Sequence, residues 1–260
     1  MSYQTVEAGR GIEWLKGAIQ IAMGNPGVFL VMALIMAIIA IVPVLGAIAL
    51  LVFGPALLGG FVWAIREHDQ GRTAEIGQLF TAFQQPGKLG PMVMLCLPAV
   101  AFGVIMMVVL FLTMGAAIIG AATGGGDGGV GAAAAVGGAV IAGLVGLVLG
   151  IGLYLVMIFS IPRVMFDGID PIAAMKESFA AALANIVAII VYCVVTFIGM
   201  FVLALLIGWI PLVGAVAITL IAYCLAAGVI YLAYKDVFGV ADAAPPAYVP
   251  PPAPPAPPAG

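Results

Sequence analysis

Long apolar runs, broken at only a few places by short polar stretches, set the elements this chain predicts. From Ile12, the apolar positions Ile12, Leu15, Ile19 and Ala22 recur at helical spacing, with Glu13, Lys16 and Gln20 on the other face and Trp14 on the flank. That pattern predicts an amphipathic helix, either lying in the headgroup plane of a membrane or tethered across the end of a bundle. Asn25-Pro26-Gly27 then turns the chain, with Asn25 as cap and Pro26 at the first helical position. A first span over 26–42 follows, then the connector Val42-Pro43-Val44-Leu45-Gly46-Ala47 and a second span over 47–65. Gly54-Pro55 predicts a kink in the second span, because proline removes a backbone donor.

The next polar stretch holds Ile76, Leu79, Phe80 and Phe83, again one helical face. A third span is predicted over 89–120 with a bend at Pro98, then a glycine-rich turn over 123–131 and a fourth span over 132–161. The fourth span carries a small residue at every fourth position: Ala134, Gly138, Ala142, Gly146 and Gly150. Such a stripe lets two backbones approach closely in lipid, and the partner is a helix of this chain or of a second subunit. Asp170-Pro171 starts another short helix, with Ile172, Met175, Phe179 and Leu183 as its apolar face. The fifth span starts at Asn185 and runs to 209, and the sixth covers 212–234, joined through Ile210-Pro211-Leu212-Val213-Gly214-Ala215. After Asp242 the chain is almost wholly Pro and Ala, a composition that samples polyproline II and does not fold.

An offset of 160 lays Ile12 on Ile172, Lys16 on Lys176 and Asn25 on Asn185; an offset of 168 lays the first connector on the second, Pro43 on Pro211 and Gly46 on Gly214. The expected fold is all-α: a polytopic membrane bundle over 1–240, with six transmembrane helices and three interfacial amphipathic helices. It is organised as three parallel helical-hairpin repeats at about 10–66, 73–163 and 170–239, followed by a disordered tail at 241–260.

Composition points to the same solvent. Hydrophobic residues make up 65% and charged residues 7% of 260, with a mean hydropathy of +1.30. A water-soluble domain carries roughly 25% charged residues, so lipid must cover most of this surface. The net charge of −3 offers no basic footprint for nucleic acid. Cys96, Cys193 and Cys224 fall in separate apolar runs and read as small core residues. All eight Lys and Arg fall on one side of a six-span layout, which predicts a bacterial inner-membrane protein with both termini cytoplasmic.

The spans contain no ionisable carboxylate, histidine, lysine or arginine. An intramembrane enzyme or a proton-coupled carrier depends on such groups, so the expectation is a protein without catalytic site, metal or cofactor. His68 lies in a charged loop and reads as a solvated residue; a lone histidine does not build a zinc site. Gly124, Gly126 and Gly129 sit between apolar helices, not between a strand and a helix start, and make no phosphate cradle. Arg163, Asp167, Lys176 and Glu177 form the densest charge cluster, either caps and ion pairs or a cytoplasmic docking patch. Tyr154, Tyr192, Thr196 and Tyr223 are the polar groups available to line a cavity.

The phrases Val-Glu-Ala-Gly-Arg-Gly-Ile-Glu-Trp-Leu (6–15), Asn-Pro-Gly (25–27), Glu-Ile-Gly-Gln-Leu-Phe (75–80), Ala-Met-Lys-Glu-Ser-Phe (174–179) and Tyr-Lys-Asp-Val-Phe (234–238) resemble a family of uncharacterised six-span inner-membrane proteins of proteobacteria. The resemblance covers about 6–240 and implies location and architecture but no reaction. Two functions remain open on the sequence: a structural, assembly or lipid- and protein-organising factor, or a passive permease or exporter for a neutral or lipophilic solute. Expected partners are membrane lipids and a second copy or another membrane protein.

Overall fold

A computed structural model describes residues 3–123, 129–210 and 212–239. The tip of the glycine-rich turn, Pro211 and the Pro/Ala tail, with the readings placed on them, lie outside the described residues. The elements are α1 (Arg10–Gly24), α2 (Pro26–Ile41), α3 (Leu45–Asp69), a 3-10 turn (Ile76–Phe80) running into α4 (Thr81–Gln84), α5 (Leu89–Met94), α6 (Leu97–Thr123), α7 (Gly129–Asp167), α8 (Pro171–Ala184), α9 (Ile186–Ile207) and α10 (Val213–Phe238). The described residues form helices and no strand, and the fold is a helical membrane bundle. Five segments are long and apolar enough to cross: α3, α5 with α6, α7, α9 and α10. The sixth crossing rests on α2, whose 16 residues reach ~24 Å, short of ~30 Å of hydrocarbon. Between α1 and α2 the axis turns by 103°, so α1 lies across the end of the bundle.

Asn25 accepts a hydrogen bond from the Val28 N–H, and Asp170 accepts from the Ile172 and Ala173 N–H groups. Pro26 and Pro171 stand just inside their helices, as expected. The amphipathic faces are turned the other way from soluble ones. Ile12 and Ile19 on α1, Ile76, Phe80 and Phe83 around α4, and Ile172, Phe179 and Leu183 on α8 are exposed. Gly11 and Ala18 on α1, and Ala174, Ser178 and Ala181 on α8, pack inward instead. Lipid removes any drive to bury large apolar groups in protein, and small residues permit the closer approach. A Cβ on Gly11 would stand 2.2 Å from the Ala188 carbonyl oxygen of α9, and one on Gly228 would meet Ala18 at 2.7 Å. Trp14 departs from the flank position expected of it and is 1% exposed.

The described residues of the two connectors share one turn geometry. Val44 and Leu212 take φ of +60° and +62°, in the left-handed half of the map, where a β-branched residue is costly. The Leu45 N–H reaches the Pro43 carbonyl at 2.6 Å, a γ-turn, and the Gly46 N–H reaches Val42 O at 2.9 Å. The Gly214 N–H makes the matching bond to Ile210 O at 3.0 Å. A Cβ on Gly46 or Gly214 would fall 1.9 or 2.0 Å from the carbonyl oxygen of Ile39 or Ile207, so both hairpins close against glycine.

The third span breaks at Leu95–Cys96, just before the expected bend at Pro98. The helix α3 runs unbroken through Pro55, and α7 continues for 39 residues through Pro162, beyond both ends of the span expected there. At 1.5 Å per residue α7 is ~58 Å long, so the α6–α7 hairpin overhangs a bilayer core of ~30 Å unless it tilts. Two of its small residues face α6 of the same chain, Gly138 meeting Thr113 and Gly146 meeting Met106, while Ala142 is buried, Ala134 is half-buried, and Gly150, half-buried, has nothing within 4 Å of its missing Cβ. Two cysteines, Cys96 and Cys224, are buried as expected, but Cys193 on α9 is exposed. His68 is half-buried, edge-on to the Phe29 ring at 5.6 Å, and is not the solvated loop residue expected.

Candidate functional site

Helices α3, α7 and α10 end together, and nearly every charge on them is used there. Asp69 of α3 accepts from the Tyr231 hydroxyl at 2.8 Å and from Lys235 Nζ at 3.0 Å. Asp167 of α7 accepts from the Tyr234 hydroxyl at 2.8 Å and pairs with Arg163 at 2.6 Å. Arg163 also pairs with Glu177 of α8 at 2.6 Å, and its guanidinium lies 4.6 Å from the centre of the Phe238 ring. Asp236 accepts from Arg10 Nε at 2.8 Å and from the Trp14 indole N–H at 2.6 Å. Rings bridge the same three helix ends: Trp63 to Phe166 at 5.8 Å, Phe166 to Tyr234 at 5.6 Å, and Tyr234 to Phe238 at 5.7 Å.

This collar absorbs the cluster read from the sequence. Arg163, Asp167 and Glu177 do come together, but Arg163 is 6% exposed and both carboxylates turn towards it. A buried guanidinium must be neutralised where it stands, so the three make a closed latch and no open docking patch. Lys176 points outward, apart from the latch. The partners missed by sequence reading are Trp14, Asp69, Tyr231, Tyr234 and Asp236. The only sequence signal for them is the spacing Tyr231-x-x-Tyr234-Lys235-Asp236 at the end of the last span.

Asn185 stands at the entry of α9, as expected, but its side chain makes no capping hydrogen bond there. Instead Oδ1 accepts from the Val6 N–H at 2.7 Å, and Nδ2 donates to the Gln4 carbonyl at 3.1 Å and the Ala181 carbonyl at 2.9 Å. The Gln4 N–H in turn reaches the Val237 carbonyl at 2.8 Å. Asn185 is therefore a clasp that ties the N-terminal segment to the ends of α8 and α10.

Above the collar, a groove of about 640 Å³ separates α7 from α9, lined by Gly150, Tyr154, Leu155, Ile189, Ile190 and Cys193 among others. The Tyr154 hydroxyl neighbours Tyr192 and Cys193, and Tyr192 neighbours the buried Oγ1 of Thr196. Of the four cavity candidates only Tyr154 lines the groove; Tyr192 is buried, and Thr196 and Tyr223 are half-buried and lie outside its wall. The exposed side chains of Leu147, Ile151, Ile190 and Val194 at its rim open the groove towards lipid. A second apolar cavity of about 420 Å³ lies at the α1–α2 bend, against Leu203 and Cys224. Among the described residues, no three His, Cys, Asp or Glu side chains gather as a metal ion requires.

Comparison with protein-family models, with curated proteins and with solved structures finds no match to this chain.

Proposed function

We propose that this chain is a non-catalytic, multi-pass protein of the bacterial inner membrane, with both termini cytoplasmic, that orders lipid around its bundle and serves as an assembly surface there. The observation that carries the reading is the contrast between the two ends of α7. At its charged end Arg163 is locked by Asp167 and Glu177 inside the protein, while one helical half further on the α7–α9 groove stays open sideways with apolar walls. An apolar wall of that size, open at bilayer depth, suits an acyl chain. The exposed apolar residues of α1, α4 and α8 add three wedges at headgroup level.

The test is purification in mild detergent with mass-spectrometric identification of whatever lipid or membrane protein stays bound. Gly150→Phe fills the groove, since a Cβ there meets nothing within 4 Å. The variant is expected to retain less lipid than wild type. Equal retention by both would sink the lipid reading. The competing reading, a passive permease for a neutral or lipophilic solute, draws on the Tyr154, Tyr192 and Thr196 cluster. It requires that liposomes holding only this protein pass such a solute, and that Tyr192→Phe slows the passage.

A further inference from the structure

The α6–α7 hairpin outreaches the rest of the bundle. Tyr154 of α7 neighbours Tyr192 of α9. From that level α7 extends 25 residues, back to Gly129, while α9 extends only 15, on to Ile207. At 1.5 Å per residue the hairpin stands ~15 Å beyond the end of α9. Tilt does not hide it, since a lean of about 40° still leaves α7 ~44 Å tall against ~30 Å of hydrocarbon. From Leu97 to Thr123 and from Gly129 to Ile161 the two helices carry no charged residue. Helix α6 packs mainly on α7, and the α5–α6 segment is the least buried of the five long apolar ones. Lipid covers such a surface only to the height of the bilayer. Above it, large exposed apolar groups mark a protein contact.

Two stripes of the hairpin fit one another, but only across two molecules. On α6, Phe111, Met114 and Ile118 recur at helical spacing and are 77%, 64% and 67% exposed. On α7, Ala132, Ala135 and Ala139 recur at the same spacing and are exposed as well. The contacts of Gly138 with Thr113 and of Gly131 with Ala121 fix the register and put both triplets at one height. They also fix the direction in which each helix faces the other. At about 100° per residue, the α6 triplet lies roughly 110° from that direction and the α7 triplet roughly 60°. Because the helices are right-handed and antiparallel, both rotations lead to the same side of the hairpin. A two-fold axis along the membrane normal keeps heights and exchanges left for right. It therefore sets the bulky triplet of one copy against the alanines of the other, twice over. The result is a four-helix cluster in which alanine lets the backbones approach closely. With Met107 and Val136 beside the triplets, the face offers on the order of 800 Å² per copy, the size a stable interface needs.

We infer that the α6–α7 hairpin is the interface between two copies of this chain, related by a two-fold axis along the membrane normal. The inference rests on the assembly role proposed above and names a second copy as its partner; the α7–α9 groove and its lipid play no part in it. Full-length chains carrying Met114→Cys and chains carrying Ala139→Cys are expressed together with different tags and oxidised in the native membrane. Both are built on Cys193→Ser, because Cys193 is exposed. A mixed disulfide dimer is expected, at least fivefold above that from Leu112→Cys with Ile141→Cys, which the same helical geometry puts at one height on the hairpin's other side. Ala139→Phe is expected to weaken dimerisation at least tenfold in detergent while lipid retention stays at the wild-type level. Should that variant not fold, Phe111→Ala serves in its place with the same expected loss. Equal cross-linking by the two cysteine pairs overturns the inference, as does cross-linking to a different protein in place of the second copy. A monomeric wild type that still retains lipid overturns this inference alone and leaves the groove reading standing.

Discussion

Asn185 offers a substitution whose outcome separates two roles for one side chain. As a helix cap it needs only an acceptor, and aspartate serves there as well as asparagine. As a clasp it accepts from Val6 and donates to Gln4 and Ala181, at 2.7, 3.1 and 2.9 Å, with the residue 2% exposed. Only one orientation of the amide satisfies all three. Asn185→Asp keeps the accepted bond, loses both donated ones and sets a carboxylate oxygen against two carbonyls. At ~1 kcal/mol for each net hydrogen bond, the loss is ~2 kcal/mol before repulsion is added. Asn185→Ala loses three bonds and strands the Val6 N–H, a cost of ~3 kcal/mol or more. Amide exchange over Gln4–Val6 reads this locally: exchange about 30-fold faster for the aspartate variant corresponds to ~2 kcal/mol. At Asn25, whose side chain makes one long bond of 3.5 Å to Val28, the same change to aspartate is expected to be nearly silent. If Asn185→Asp exchanges like wild type while Asn185→Ala does not, the side chain is a cap and the clasp is wrong.

Three further outcomes follow from the packing. Arg163→Gln removes the cation shared by Asp167 and Glu177 and is expected to cost ~3 kcal/mol, seen as a lowered unfolding temperature in detergent; a loss no larger than that of Lys176→Gln would count against the latch. Gly46→Ala and Gly214→Ala each place a methyl within 2.0 Å of a carbonyl oxygen and are expected to destabilise by at least ~1–3 kcal/mol, whereas Gly143→Ala and Gly199→Ala meet open space and leave the unfolding temperature unchanged. Single cysteines at Val44 and Leu212 are expected to react with an impermeant thiol reagent from one side of the membrane and one at Lys176 from the other; all three reacting from a common side would defeat the orientation proposed here.

Hydrophobic patterning alone was enough to specify the solvent and five long helices, because in lipid every backbone polar group must be satisfied within its own helix, whereas α2 is shorter than the sixth span expected there. Asn25, Asp170, Pro26 and Pro171 were legible as helix starts, and Gly46 and Gly214 as connectors, since local geometry demands those residue types. Two things were not legible. Apart from Trp14 and Pro171, the inward faces of α1 and α8 are made of Gly, Ala and Ser, and hydrophobicity does not tell protein from lipid on the two sides of a membrane helix. The collar was equally hidden. Asp69, Asp167 and Asp236 are far apart in the chain, and only the common ending of α3, α7 and α10 sets Tyr231, Tyr234, Arg10 and Trp14 beside them. Sequence therefore determined that the lysines and arginines lie at one end of the bundle, and tertiary structure decided which of the charges there neutralise each other. The reason is physical: period and composition are properties of one helix, whereas charge pairing is a property of the distances between helices.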